Sequence, residues 1–195
     1  SLPLLPGRGE NFARPAVVTS LRSLFEDHNA TSGCSYRSGP HVQDALTAFE
    51  RAIQLDPNSA TAFKNKGFTL DKLKRYKEAL AAYEQALRLD PNCALAHASK
   101  GSILFTLKRY QEAFAAYEQA LRLDPSNADI YNNKGSMLQD RKRYELALTS
   151  FEQALRLDPN LASAHYNRGS VLQHLGRGRE ANQAYDRAKQ LGYRR

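Results

Sequence analysis

Residues 78–91 read EALAAYEQALRLDP, residues 112–125 read EAFAAYEQALRLDP, and residues 146–159 read LALTSFEQALRLDP. These stretches begin 34 positions apart, and the similarity extends beyond them, since residues 60–93 match residues 94–127 at 22 of 34 positions without a gap. Fixed spacing of this kind indicates an array of structural repeats, each of which packs against its neighbours.

Each unit is predicted to contain two helices. In the first unit the pattern favours one helix over residues 60–73 and a second over residues 76–89. Apolar residues of the second helix recur at helical spacing and form one face. The pair Asp90-Pro91 is expected to end this helix, because the residue before a proline is pushed out of the α region.

A glycine recurs in the middle of each predicted first helix, at Gly67, Gly101, Gly135 and Gly169. Glycine costs roughly 1 kcal/mol relative to alanine inside a helix. We therefore expect the neighbouring helix to approach so closely at this point that a side chain would not fit. Tyr83 and its equivalents in the other units are expected to fill the space opposite.

The pattern resembles the tetratricopeptide repeat, whose signature has a large residue at position 4, Gly at 8, Ala at 20, an aromatic residue at 24, Ala at 27 and Pro at 32. The matching residues are Phe63, Gly67, Ala79, Tyr83, Ala86 and Pro91 in the first unit; His97, Gly101, Ala113, Tyr117, Ala120 and Pro125 in the second; Tyr131, Gly135, Ala147, Phe151, Ala154 and Pro159 in the third; and His165, Gly169, Ala181, Tyr185 and Ala188 in the fourth. The resemblance covers residues 60–193 and implies an all-α fold, a right-handed solenoid of helix-turn-helix repeats.

Upstream of the first full unit the register persists in a weaker form. Ala45, Phe49, Ala52 and Pro57 fit the second helix of a further unit over residues 41–56. A separate helix is predicted over residues 16–28. The predicted organisation is a linker or disordered tail at 1–14, a degenerate N-terminal capping repeat at 15–59, and four repeats at 60–93, 94–127, 128–161 and 162–195, the last with a basic C-terminal tail.

No catalytic or metal site is predicted from the residue pattern. The two cysteines lie 59 positions apart, no histidine pair sits at i, i+4, and no cysteine lies at nucleophile spacing from a histidine. His97 and His165 occupy the slot that Phe63 and Tyr131 fill elsewhere, so we interpret them as packing residues. We expect a protein that is not an enzyme and that has no cofactor. No apolar run approaches the roughly 18 residues of a membrane span, so no membrane partner is expected, and the expected location is cytoplasmic.

The first helices differ between units much more than the second helices do. Their divergent positions 2, 5, 9 and 12 fall on one stripe, which in the resembled family lines a concave groove. Relaxed drift after duplication is the alternative, but drift would also have changed outward residues of the second helix such as Glu84 and Glu118. We therefore interpret the stripe as a surface that binds a peptide segment. The predicted contacts are Lys64, Asn65, Phe68, Leu95, Phe105, Asn132, Asn133, Tyr166 and Asn167.

Position 6 of the first helix carries Asn65, Asn133 and Asn167, with Ser99 as a gap. An asparagine side chain offers one acceptor and two donors, so a row of asparagines could form hydrogen bonds with the backbone of an extended peptide. The arrangement is similar to the asparagine ladder in the repeat domain of O-GlcNAc transferase. The alternative is that asparagine is simply common at this position.

The net charge of +8 is uneven, with +3 in residues 60–93 and +5 in residues 162–195. A peptide partner is therefore expected to be acidic near Lys64. Basic residues also recur at position 7. Their charged ends are expected either to lie in water at the edge of the helix or to form a stripe that follows a phosphate backbone. The position-7 residues are Lys66, Lys100, Lys134 and Arg168.

These observations favour a non-catalytic protein–protein interaction module. One alternative is a scaffold or regulatory module of a larger signalling enzyme. Another is a basic repeat protein that binds RNA, although we expect no nucleic-acid partner because most tyrosines occupy packing slots. Self-association through the C-terminal repeat is a further expectation, since Leu172, Leu175 and Leu191 are predicted to be partly exposed at the end of the array.

Overall fold

The computed structural model describes residues 40–194, which form nine α-helices and no strand. The helices are α1 (Pro40–Leu55), α2 (Ala60–Lys72), α3 (Tyr76–Leu89), α4 (Ala94–Thr106), α5 (Tyr110–Leu123), α6 (Ala128–Asp140), α7 (Tyr144–Leu157), α8 (Ala162–His174) and α9 (Gly178–Gln190). The predicted linker over residues 1–14 and the predicted helix over residues 16–28 lie outside the described range.

Consecutive helices pair as four hairpins, α2–α3, α4–α5, α6–α7 and α8–α9, and α1 packs on the first of them. The first helices also contact one another in succession, α2 with α4, α4 with α6 and α6 with α8. The described chain is thus an all-α solenoid, which confirms the predicted fold class. The succession of first helices gives the array one continuous surface.

The helix ends follow from local sequence. Asp90 has an extended backbone (φ −136°, ψ 91°) and precedes Pro91, so α3 ends where the aspartate–proline pair predicts. Inside the hairpins the turn requires a left-handed residue, and three repeats use a lysine there, with φ between 56° and 60°. The fourth repeat uses Gly176 at φ 75°. Glycine adopts this conformation without the roughly 1–2 kcal/mol that other residues lose. The three left-handed lysines are Lys74, Lys108 and Lys142.

An aromatic ring lies against the recurrent glycine in each hairpin. A Cβ atom on Gly67 would lie 2.9 Å from Cε1 of Tyr83, and one on Gly135 would lie 2.6 Å from Cε1 of Phe151. Both rings are buried, at 1% exposure or less. The expected close approach is therefore confirmed. Burial also raises the pKa of Tyr83 to about 12.

Ion pairs join neighbouring repeats. In each, a lysine of the first helix pairs with a glutamate on the second helix of the preceding unit. The pairs are Lys66 with Glu50 (Nζ–Oε1 3.0 Å), Lys100 with Glu84 (3.1 Å), and Lys134 with Glu118. Glu84 and Glu118 each contact the next repeat, so the expectation that drift would have changed these outward residues was wrong. The invariance of the second helix reflects packing between repeats as well as within them.

Gly135→Ala is expected to lower the free energy of unfolding by about 1–2 kcal/mol, because overpacking against Phe151 outweighs the gain in helix propensity. Gly178→Ala is the matched control, since a Cβ there would meet nothing within 4 Å. We expect the midpoint of urea unfolding of this control to equal that of the wild type or to lie slightly above it. A Gly135→Ala variant as stable as the control would contradict the ring-on-glycine contact.

Reversing one charge of the Lys100–Glu84 pair is expected to destabilise the array, and reversing both should restore most of the loss. Because both side chains are partly exposed, the coupling energy is expected to be roughly 0.2–1 kcal/mol and to shrink in high salt. Urea unfolding of Glu84→Lys, Lys100→Glu and the double variant at two sodium chloride concentrations measures this. Additive effects of the two single changes would contradict a direct interaction.

Candidate functional site

The divergent stripe of the first helices has an apolar, basic end on α2 and α4. Phe68 is 42% exposed and Leu95 is 56% exposed, which is unusual for side chains of this size within the described array. The ammonium of Lys72 lies 4.9 Å from the centre of the Phe68 ring, within range of a cation–π interaction. Lys64 is half-buried on the same helix. Because α2 and α4 contact each other, these side chains belong to adjoining helices of one surface.

An acidic group also lies on this stripe. Asp71 occupies position 12 of α2, and burial raises the pKa of its carboxyl while the neighbouring Lys72 opposes the rise. This end of the surface therefore carries one carboxylate beside the lysines Lys64 and Lys72. Its net charge remains positive, in agreement with the +3 of residues 60–93.

Two aromatic residues of the predicted site are held by neighbouring rings. Phe105 is half-buried against the core and tilts against Tyr110, with ring centres 6.0 Å apart. Tyr166 stacks on Tyr193 at 4.6 Å and tilts against Tyr185 at 5.4 Å. Their rings are thus fixed in position before any ligand binds, and part of each ring surface is already covered.

At the other end of the stripe, α6 and α8 are joined by hydrogen bonds between amides and hydroxyls. Asn167 donates through Nδ2 to Oδ1 of Asn132 at 3.0 Å and to Oγ of Ser136 at 3.3 Å. Gln139 donates to Oγ of Ser170 at 2.9 Å. Asn132 is only 8% exposed. Sequence reasoning missed this network, in which the predicted contacts Asn132 and Asn167 bind each other.

The four side chains at position 6 have different surroundings. Asn133 is exposed and Asn65 is half-buried, and within the described residues neither side chain makes a hydrogen bond. Ser99 is half-buried, and its hydroxyl opposes the rise that burial causes in the pKa of Tyr83 in the preceding hairpin. Asn167 keeps its carbonyl oxygen available, since its amide hydrogens point to α6. Asn65 and Asn133 are therefore the members best placed to bind a peptide backbone.

The position-4 histidines each contact the loop before their helix. Nε2 of His97 lies 2.9 Å from the carbonyl oxygen of Pro91, and Nε2 of His165 lies 2.9 Å from that of Pro159. Both rings are half-buried, which agrees with their interpretation as packing residues. The recurring spacing of six residues from proline to histidine is the signal that could have predicted the hydrogen bond.

The C-terminal end of the described array is closed more completely than expected. Leu172 is 1% exposed, so its predicted exposure was wrong: it lies in the core between α8 and α9. Leu175 and Leu191 are half-buried. Tyr193 stacks on Tyr166 just beyond α9, and this contact covers part of the end.

Residues 40–194 contain no group of three or more histidine, cysteine, aspartate or glutamate side chains that could hold a metal ion. None of the helices in this range combines the length and apolar character that crossing a membrane requires.

Three sequence models of the tetratricopeptide repeat (TPR) match the chain. One matches residues 69–128, one matches residues 135–176, and one matches residues 48–81 and 116–149. Residues 48–176 are tetratricopeptide repeats. No curated protein sequence matches the chain.

Solved structures of other proteins share the TPR fold. MamA from Desulfovibrio magneticus RS-1 is 20% identical with a TM-score of 0.71, covering 92% of this chain and 97% of that one. PilF of Pseudomonas aeruginosa is 24% identical with a TM-score of 0.75, covering 92% and 76%. YrrB, described as a TPR protein with an unusual peptide-binding site, is 22% identical with a TM-score of 0.64, covering 92% and 94%. At these identities the likeness concerns the fold alone.

Asn167→Ala is expected to lower the free energy of unfolding by about 1 kcal/mol, because it leaves Asn132 and Ser136 without their hydrogen-bond donor. Asn65→Ala is the matched control on α2, where no equivalent bond is lost, and it should be nearly neutral. Thermal and urea unfolding of the two TPR variants measure the difference. Equal stabilities would show that the α6–α8 network contributes nothing.

Proposed function

We propose that this chain is a non-catalytic protein-interaction module that binds a peptide segment along the first helices of its repeats. The observation that carries the proposal is the pair of exposed apolar side chains, Phe68 and Leu95, on adjoining helices of the most divergent stripe. Large apolar groups that stay exposed together commonly mark an interaction site. Such anchors supply most of the affinity of an interface.

The neighbouring charges and amides suggest how the peptide is oriented. Lys64 and Lys72 favour an acidic segment where the peptide passes α2. Asn65 and Asn133 can exchange hydrogen bonds with its backbone whatever its side chains are. This use of the asparagines, by analogy with O-GlcNAc transferase, is part of the proposal.

Further along the array, the surface is more fully organised without a ligand. Asn167, held by its bond to the buried Asn132, and Tyr166 present a rigid polar and aromatic face, with Phe105 between the two ends. A preorganised face loses less side-chain entropy on binding than a mobile one. The described peptide-binding site of the TPR protein YrrB offers a precedent for this kind of ligand on the same fold.

The RNA alternative receives less support from the same contacts. The lysines that would follow a phosphate backbone at position 7 are paired with glutamates of the preceding repeat. Binding of a phosphate would have to compete with each of these ion pairs. A regulatory module of a larger signalling enzyme is compatible with peptide binding and is not a competing function.

The proposal is tested with peptides selected from a random-peptide phage library on the wild-type chain. Phe68→Ala combined with Leu95→Ala is expected to raise the Kd of the selected peptides at least tenfold, as measured by fluorescence anisotropy. The melting temperature should change little, because both side chains are exposed. The matched control is Leu157→Ala, which removes a leucine of 42% exposure from a second helix.

Peptides that bind the double variant and the wild type equally would contradict the proposed groove. Asn65→Ala with Asn133→Ala separately tests the ladder, with Asn167 left intact because its loss would also affect stability. A binding constant that falls steeply with salt for single-stranded RNA, and not for any peptide, would support the RNA alternative instead.

A further inference from the structure

The third repeat departs from the others at the start of its second helix. In three repeats the arginine just before this helix forms a two-pronged ion pair with the glutamate three residues later. These pairs are Arg75–Glu78, Arg109–Glu112 and Arg177–Glu180, each with an Nη2–Oε2 distance of 2.6 Å. In the third repeat the arginine is Arg143 and the glutamate is replaced by Leu146.

The replacement leaves two side chains exposed at the start of α7. The Arg143 side chain, just before the helix, makes no ion pair or hydrogen bond within the described part of the chain. Leu146, three residues later, is 54% exposed. An unpaired guanidinium close to an exposed leucine is a combination that the equivalent positions of the other three repeats do not offer.

Arg143 also borders an apolar cavity of about 270 Å³ at the junction of the second and third repeats. The cavity wall includes Phe114 of α5 and Met137 and Leu138 of α6. Phe114 is 39% exposed, although the residues at the same repeat position, Leu80 and Leu148, are only 7% and 8% exposed. A side chain that is core elsewhere thus lies open to solvent at this junction.

The cavity is bordered by positive charge. Arg141 belongs to its wall, and its guanidinium lies 4.6 Å from the centre of the Tyr110 ring. An adjoining cavity of about 320 Å³ is lined by Lys108, Arg109 and Arg141, with Glu112 as the one carboxylate. Because Glu112 is already paired with Arg109, the remaining cations are left to attract an external anion.

This surface is separate from the groove of the first helices. Gln139, whose side chain bonds Ser170 on the groove side, lies about 200° around α6 from Met137, at 100° a residue. A ligand in the cavity therefore contacts a different face of α6 from a ligand in the groove.

We propose that the junction of the second and third repeats is a second docking surface, which binds an acidic peptide segment through one large apolar side chain. The apolar side chain enters the cavity beside Phe114, Met137 and Leu138. Flanking carboxylates pair with Arg143 and Arg141, for which a bidentate arginine–carboxylate bond has the matching geometry. Leu146 extends the apolar contact along the first turn of α7.

The test uses a labelled synthetic peptide, acetyl-Glu-Asp-Phe-Asp-Glu-amide, titrated into the wild-type chain and followed by fluorescence anisotropy and amide chemical shifts. Two matched peptides replace the phenylalanine with alanine or the four acidic residues with lysine. The acidic phenylalanine peptide is expected to bind at least tenfold more tightly than either one. Its largest shift changes should fall on the backbone amides near Phe114, Arg141 and Arg143.

The decisive variant is Leu146→Glu, which gives the third repeat the ion pair of the other three and should fold normally. This variant is expected to raise the Kd of the peptide at least tenfold. Phe114→Leu, which introduces the leucine of the neighbouring repeats, is also expected to raise it. The groove variant Phe68→Ala with Leu95→Ala is the control and should bind this peptide as the wild type does. The two proposals can therefore fail independently.

Three results would overturn the proposal. The first is no binding of the peptide to the wild type at millimolar concentration. The second is equal binding to the wild type and to Leu146→Glu. The third is a concentration-dependent dimer in sedimentation velocity that Leu146→Glu abolishes, since the surface would then be occupied by a second copy of the chain.

Discussion

The contact between a glycine of the first helix and an aromatic ring of the second determines the geometry of every hairpin in the described array. The nearest ring atom lies 2.6–3.0 Å from where a Cβ atom would be, so the two helices cross at a distance that favours glycine. The same crossing buries the ring, which raises the pKa of the Tyr83 hydroxyl. The left-handed turn that follows, and the surface that the first helices share, depend on this crossing being the same in each repeat.

Much of the fold could be predicted from the sequence, because packing constraints recur with the period. The glycine, the ring and the aspartate–proline stop each have a local physical reason, and each was found where the pattern indicated. The lysine–glutamate pairs between repeats were visible in the sequence as a series of glutamates and a series of basic residues 16 positions later. They were missed because each series was considered alone, although the contact joins neighbouring units.

The candidate site could be predicted only in part. A stripe of divergent positions identifies a face of a helix, and Phe68 and Leu95 are indeed exposed on it. Whether a polar side chain on that face points to solvent or to its neighbour depends on side-chain geometry between repeats. Asn132 and Asn167 have the same residue type as Asn133, yet they bond each other while Asn133 is exposed. Departures from the repeat, such as Leu146, are more informative here than the repeat itself, because packing does not explain them.

The ion pairs between units also have a consequence for the length of the array. Glu118 of the second repeat pairs with Lys134 of the third. Lys100 has the same position in the second repeat as Lys134 has in the third, and it pairs with Glu84 of the first. A duplicate of residues 94–127 inserted after residue 127 would place its own lysine against Glu118 and its own glutamate against Lys134. The ion pair between repeats is therefore self-complementary, and a duplication of this unit would keep it on both sides of the inserted copy.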